Sequence, residues 1–314
     1  MADYILRRLL LAVVIMLVTI IILFALVYVI PGDPASIALG PRATSEMKAE
    51  LRARMGMDQP LPMQFVRFVG NAVVGDLGVD VWSKRPVTRI VLEALPHTLA
   101  LAGSAILWAL LVGLPLGCLA AARPDGWVDR LIGVVSTLFI AMPSFVVAIY
   151  GLLLFAVKLK WLPAIGAGPP DQPLMQLEHL LLPSFAVGLG WVGYLARLVR
   201  ASMLEVLGQG HIRTFRAFGV GEPRIALRFA LPIAVVPVVS VLGVGVGSLL
   251  SGAVLVEIIF ARPGLGKLTF DAVVSRNFPV VTGTVLVTTA LYLTCTVLAD
   301  LVVARLDPRV RASL

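Results

Sequence analysis

Leu9-Leu10-Leu11-Ala12-Val13-Val14-Ile15-Met16-Leu17-Val18-Thr19-Ile20-Ile21-Ile22-Leu23-Phe24-Ala25-Leu26-Val27-Tyr28-Val29-Ile30 holds no charged side chain, and Pro31-Gly32-Asp33-Pro34 follows it as a stop signal. About 20 apolar residues in a helix cross the hydrocarbon core of a bilayer. Arg7 and Arg8 stand ahead of the run, as they would in a signal peptide. The apolar region of a signal peptide is only about 7–15 residues long. The stretch is therefore read as a retained membrane helix.

Five further stretches qualify as spans: Thr98–Ala122, Leu131–Val157, Leu180–Ala196, Ile233–Leu255 and Val281–Val303. The composition agrees. Of 314 residues, 59% are hydrophobic and 14% charged, against about 25% charged in an ordinary soluble domain. A soluble core of this size cannot hide that much apolar surface, so lipid is the main solvent. The fold class is an all-α integral membrane protein with six transmembrane helices.

Six spans put both termini on one side. With the termini inside, thirteen Lys and Arg fall in inner segments and thirteen in outer ones. Eight of the outer ones lie in the 67-residue segment Pro31–His97, and long loops translocate largely regardless of charge. Setting that segment aside leaves thirteen against five and predicts cytoplasmic termini. The net charge of +8 is then a matter of topology, not of nucleic-acid binding, which needs a basic patch in a suitable fold.

The expected organisation is the N-terminus and first span over residues 1–30, then an extracytoplasmic helical cap over 31–97. A membrane core with five spans follows over 98–314 and includes a cytoplasmic loop at 200–232. In the cap, Ser45 caps a helix through Glu46–Arg52, Asp58-Gln59-Pro60-Leu61-Pro62 breaks it, and Gln64–Val69 opens a second amphipathic helix. Met47, Met55, Met57 and Met63 fall in the cap; gap-filling methionine is far commoner than a soft metal site.

Motifs for chemistry are missing their parts. Gly264-Leu265-Gly266-Lys267-Leu268-Thr269 resembles a phosphate loop, but Ala261 stands at the first glycine and Leu268 at the hydroxyl residue. Gly243-Val244-Gly245-Val246-Gly247-Ser248 lacks the last glycine of a dinucleotide fingerprint and lies in a span. Its Gly243 and Gly247, like Gly113 and Gly117, have the spacing of close helix contact. Cys118 and Cys295 lie in apolar runs, and His97, His179 and His211 are scattered. No catalytic, metal or cofactor site is predicted. A proton-driven carrier needs a buried polar relay, and Asp300 is the one carboxylate placed inside a span.

The specific constellation is Arg200–Pro232. Gly219 turns the chain between two short helices, Pro223 opens the second, and nine residues after Gly219 come Phe229-Ala230-Leu231-Pro232. This resembles the EAA loop of membrane subunits of ATP-binding cassette importers, in which a glycine, nine residues and I-x-L-P follow the acidic start. The EAA positions hold Arg213-Thr214-Phe215, and Phe229 replaces isoleucine. The peptide and nickel branch, of dipeptide/oligopeptide type, is more similar still: its R-T-A-R-A-K-G appears as Arg213-Thr214-Phe215-Arg216-Ala217-Phe218-Gly219. The similarity continues through Tyr4-Ile5-Leu6-Arg7-Arg8, Pro31-Gly32-Asp33-Pro34, Met142-Pro143-Ser144-Phe145 and Val256-Glu257-Ile258-Ile259-Phe260. It extends to Pro263-Gly264-Leu265-Gly266, Arg276-Asn277-Phe278-Pro279 and Leu306-Asp307-Pro308-Arg309.

The resemblance implies a type I importer permease fold in a bacterial inner membrane. Its partners would be a homologous second permease, two ATPase subunits that hold ATP and magnesium, and an extracytoplasmic substrate-binding protein. Residues Arg213, Thr214, Phe215, Arg216, Ala217, Gly219, Leu231 and Pro232 would couple to the ATPases. Ser248, Ser251 and Gly252, in a span rich in small residues, are candidate pore-lining positions. Pro263, Gly264, Asp271 and Arg276 are candidate contacts with the binding protein. Peptides are the expected cargo, with nickel chelates and glutathione as alternatives. A stand-alone secondary carrier is the rival reading from another class.

Overall fold

The computed structural model describes residues 2–29, 43–55 and 58–306. The Pro31–Pro34 motif, Met57 and the tail from Asp307 lie outside the described residues. Helices α1 (Ala2–Val29), α2 (Ser45–Met55), α3 (Leu61–Val73) and α4 (Val87–Ala122) come first. They are followed by α5 (Trp127–Ala141), α6 (Ser144–Gly151) with wider π turns over Leu152–Lys158, and α7 (Pro173–Leu207). Next are α8 (Gly210–Ala217), α9 (Glu222–Arg224), π turns over Ile225–Ala230 and α10 (Leu231–Ala234). Last come α11 (Val236–Ile259), α12 (Leu265–Val274) and α13 (Phe278–Leu306).

Among the described residues, five helices are long and apolar enough to cross a membrane: α1, α4, α7, α11 and α13. Counting the bent pair Trp127–Ala141 and Ser144–Lys158 as one broken span brings the number to six. The sequence predicts a single span over Leu131–Val157, whereas α5 and the helix after it meet at 94°. Pro143 is the cause: it has no N–H to continue the ladder and pushes the residue before it out of the α region. Met142 is accordingly extended, at φ −83° and ψ 118°.

The chain divides into two compact units. The first contains His97–Pro263 and residues 295–306. Its axis is α7, whose apolar window is 61% buried. Small residues let neighbours close on it. A Cβ on Gly117 of α4 would stand 2.6 Å from that of Val199, and one on Gly193 would stand 2.5 Å from the Ser136 carbonyl. Gly113 also abuts α7, at Leu195 and Val192, so the predicted close contact of this glycine pair is made. Gly243 abuts Ala299 of α13.

The second unit contains the described residues from Ala2 to Pro96 together with Gly264–Thr294. Thr44, not Ser45, caps α2: its hydroxyl accepts from the Met47 N–H at 3.2 Å, and Ser45 is the first helical residue. Helix α3 starts three residues before the predicted Gln64, since Pro62 fits the first turn, where its missing N–H costs nothing. Phe65 and Phe68 of α3 pack against Phe24 of α1. Asp80 is the polar centre of this unit. It accepts from the N–H groups of Trp82 and Ser83, the Ser83 hydroxyl and the Asn277 amide. Burial raises its pKa, but these bonds outweigh that and hold the carboxyl below its ordinary value.

Candidate functional site

In the loop between α7 and α11, helix α8 is anchored by one buried residue, Ile212, which is fully inaccessible. One helical turn in each direction from it, α8 turns its opposite face outward, and Gly210, Arg213, Thr214 and Ala217 are all exposed there. The helix ends in a complete Schellman motif: Gly219 N–H bonds the Arg216 carbonyl at 2.9 Å, and Val220 N–H bonds that of Phe215 at 3.1 Å. Gly219 sits at φ +77°, which glycine alone adopts at no steric cost.

Arg216 faces sideways, its guanidinium forked on Glu222 at 2.6 and 3.1 Å. That bond holds the Glu222 carboxyl below its ordinary value. Leu231 is half-buried and Pro232 exposed. The predicted coupling residues thus divide: Arg213, Thr214 and Ala217 share the free face, while Phe215 points inward. The two departures from the importer pattern turn out to be partners, since Phe215 stacks on Phe229 with ring centroids 4.2 Å apart. The residue left at the tip is Phe218, 81% exposed.

Sequence reading missed the brace above this loop. Arg200 of α7 forks onto Asp129 of α5 at 2.5 and 2.6 Å, and Asp129 is only 6% exposed. Asp129 also accepts the Asp125 N–H at 2.9 Å. An acidic residue at the start of α5 was the available signal, but nothing in the sequence named its partner.

In the same unit, a cavity of about 730 Å³ opens between α7, α11 and the α5–α6 break. Trp191, Tyr194, Met142, Ser144, Ser240 and Ser248 are among the residues around it, and none of its lining carries a charge. Two of the three predicted pore positions, Ser248 and Gly252, line it. Ser251 does not; it is exposed, and its hydroxyl donates to the Gly247 carbonyl at 3.0 Å. Trp191 was not singled out from sequence.

At the far end of α11, Glu257 is 1% exposed and accepts from the Thr98 hydroxyl at 2.7 Å. Arg262 is 3% exposed and donates to the His179 carbonyl at 3.1 Å. Burial pushes its pKa down, and the Glu257 charge opposes that. Of the predicted binding-protein contacts, Pro263 is exposed and Gly264 buried. Asp271 is exposed and paired with Lys267, and Arg276 is exposed at φ +54°.

A helical membrane fold that combines a solute-sized uncharged cavity with a glycine-turned helical knob has the parts of a transport subunit. Comparison with known proteins gives the family. Residues 113–312 match the binding-protein-dependent transport system inner membrane component, and residues 1–102 match its N-terminal region. The chain belongs to this family.

It is 34% identical to the probable peptide ABC transporter permease protein y4tP of Sinorhizobium fredii, over 99% of this chain and all of that one. It is also 34% identical to the glutathione transport system permease protein GsiC of Escherichia coli K12, over 99% of each. The fold is that of the inward-facing MetNI methionine ABC transporter, with TM-score 0.59 and 19% identity over 69% of this chain and 96% of that one. The protein is a multi-pass inner-membrane permease subunit of an ABC importer, of the dipeptide/oligopeptide type. It is the non-catalytic membrane component, with ATPase activity on separate subunits.

Proposed function

We propose that the chain forms half of a pathway for small peptides, with a homologous permease as the other half, two ATPase subunits at residues 200–232 and a substrate-binding protein at the opposite face. Both termini are cytoplasmic in this reading, and residues 31–97 form the extracytoplasmic cap. The observation that carries it is the α8 knob: an exposed face anchored by Ile212, closed by a glycine turn and tipped by Phe218. Such a body can seat in a groove of a partner and move as a unit. ATP binding then biases a two-state gate, by as much as the ATPases bind one state better than the other.

Peptide cargo is supported by two features. The relatives named above include peptide and glutathione permeases, and glutathione is itself a peptide. The cavity offers serine hydroxyls and aromatic rings without charge, which suits amide groups and varied side chains. Purification of the complex with its binding protein, followed by mass spectrometry of the released ligand and uptake of that ligand into proteoliposomes, tests this. Recovery of peptides that are taken up only with ATP supports it. Recovery of a nickel chelate or another non-peptide solute refutes the cargo, and uptake without ATPase subunits refutes the importer arrangement.

A further inference from the structure

Trp191 stands on the cavity wall between two very different neighbours. On one side the outer edge of its six-membered ring abuts the backbone of Gly245, so closely that a Cβ there would collide with the three carbons of that edge. On the other it meets Tyr194, one turn along α7, edge-on with ring centroids 5.6 Å apart. Behind it, the indole packs against both apolar clusters that line α7. Those clusters are close-packed and cannot take up a displaced ring. The cavity can.

We propose that Trp191 is the size-determining residue of the solute pathway and that Gly245 is its seat. The depth to which the indole stands in the cavity fixes the widest solute that passes. This rests on reading the cavity as part of the pathway. The seat must be glycine for a steric reason: Gly245 has ordinary helical backbone, and only the missing side chain lets the outer edge of the indole reach the backbone of α11. A single methyl group at 245 lifts the ring into the empty volume, because the core behind it offers no other way. Removing the indole has the opposite effect and widens the passage.

The test uses the whole importer in proteoliposomes, with Cys118→Ser and Cys295→Ser removing the native thiols and Ser248→Cys placed on the cavity wall as reporter. Two thiosulfonate reagents are compared, one with an ethylammonium group and one carrying a bulky fluorophore. Trp191→Ala should raise the bulky reagent's rate roughly tenfold while changing the small one little. Gly245→Ala should slow both, the bulky one more. In the double variant the Gly245→Ala effect should vanish, because no ring is left to displace. The proposal is overturned if Ser248→Cys reacts well but the ratio of the two rates ignores Trp191→Ala. It is also overturned if Gly245→Ala slows labelling equally with and without the indole. In both cases the pathway reading survives. No reaction with the small reagent in any nucleotide state or background overturns the pathway reading, and the gate with it. Assembly is checked for each variant; if Gly245→Ala does not assemble, the Trp191→Ala ratio alone decides.

Discussion

Gly219 and Gly245 are both held as glycine, for opposite reasons. Around Gly219 there is open space: a Cβ would meet nothing within 4 Å, yet the backbone stands at φ +77°. Around Gly245 the backbone is ordinary helix, yet the Trp191 ring fills the place of the side chain. The knob is therefore shaped by local backbone and a few polar bonds, whereas the helix pair around the cavity is shaped by interdigitation. A partner can seat on the first without repacking the protein. The second transmits any change in one helix to its neighbour.

The largest expected effect separates these two cases directly. Gly219→Glu adds a charged side chain at the exposed end of α8 and leaves every span untouched. Transport and substrate-stimulated ATP hydrolysis should fall roughly tenfold or more, with membrane insertion unchanged. Gly219→Ala should be milder, since an alanine with positive φ costs about 1 kcal/mol. Near-normal transport by a well-inserted Gly219→Glu protein would falsify the docking role.

The packed region should respond in the reverse order, in stability before activity. A Cβ on Gly117 would stand 2.6 Å from the Val199 Cβ and 2.7 Å from the Ala196 carbonyl, while Gly103 on the same helix has nothing within 4 Å. Gly117→Val should thus cost about 1–3 kcal/mol by overpacking and lower the thermal midpoint in detergent. Gly103→Val should leave it unchanged. Equal effects at the two positions would break the packing side of the comparison.

Asp80 extends the class held by polar bonds to the second unit, with local partners in Trp82 and Ser83 and a distant one in Asn277. Its folded pKa lies below the ordinary value, so its bonds stabilise fully above the unfolded pKa and are lost as pH falls through the folded one. The midpoint difference between the native protein and Asp80→Asn should hold steady from neutral pH to about pH 5 and shrink below about pH 4. A difference that grows on acidification contradicts the assignment.

The smallest effect sharpens the account of the knob. Phe215→Ala should leave Phe229 unstacked and weaken coupling modestly, on the scale of about 0.5–1.5 kcal/mol for an aromatic pair. Phe215→Ala with Phe229→Ile restores the residues of the importer pattern and should recover part of the loss. Additive losses in the double variant would show that the two rings do not act as a pair.

The spans were legible because a 22-residue uncharged run such as Leu9–Ile30 has few alternatives to lipid. The break at Met142-Pro143 was hidden because hydropathy stays high across it. Pro143 carried the signal, and only its backbone consequence shows it. Gly219 was legible from spacing alone, since a turn between two short helices is a local property. The stacking of Phe215 on Phe229 was not, because each substitution looks like an isolated departure until the fold brings them together. Trp191 on Gly245, Arg200 on Asp129 and Asn277 on Asp80 fail for the same reason: each depends on a partner far along the chain.

The central claim is that the α8 knob is the seat of the ATPases on the cytoplasmic face. A photo-cross-linking residue in place of Phe218, whose side chain is 81% exposed at its tip, tests this in intact membranes containing the assembled importer. An ATPase subunit should be captured, with a yield that changes when ATP is bound. Capture of the extracytoplasmic binding protein instead, or of no subunit in a complex shown to be assembled, contradicts it.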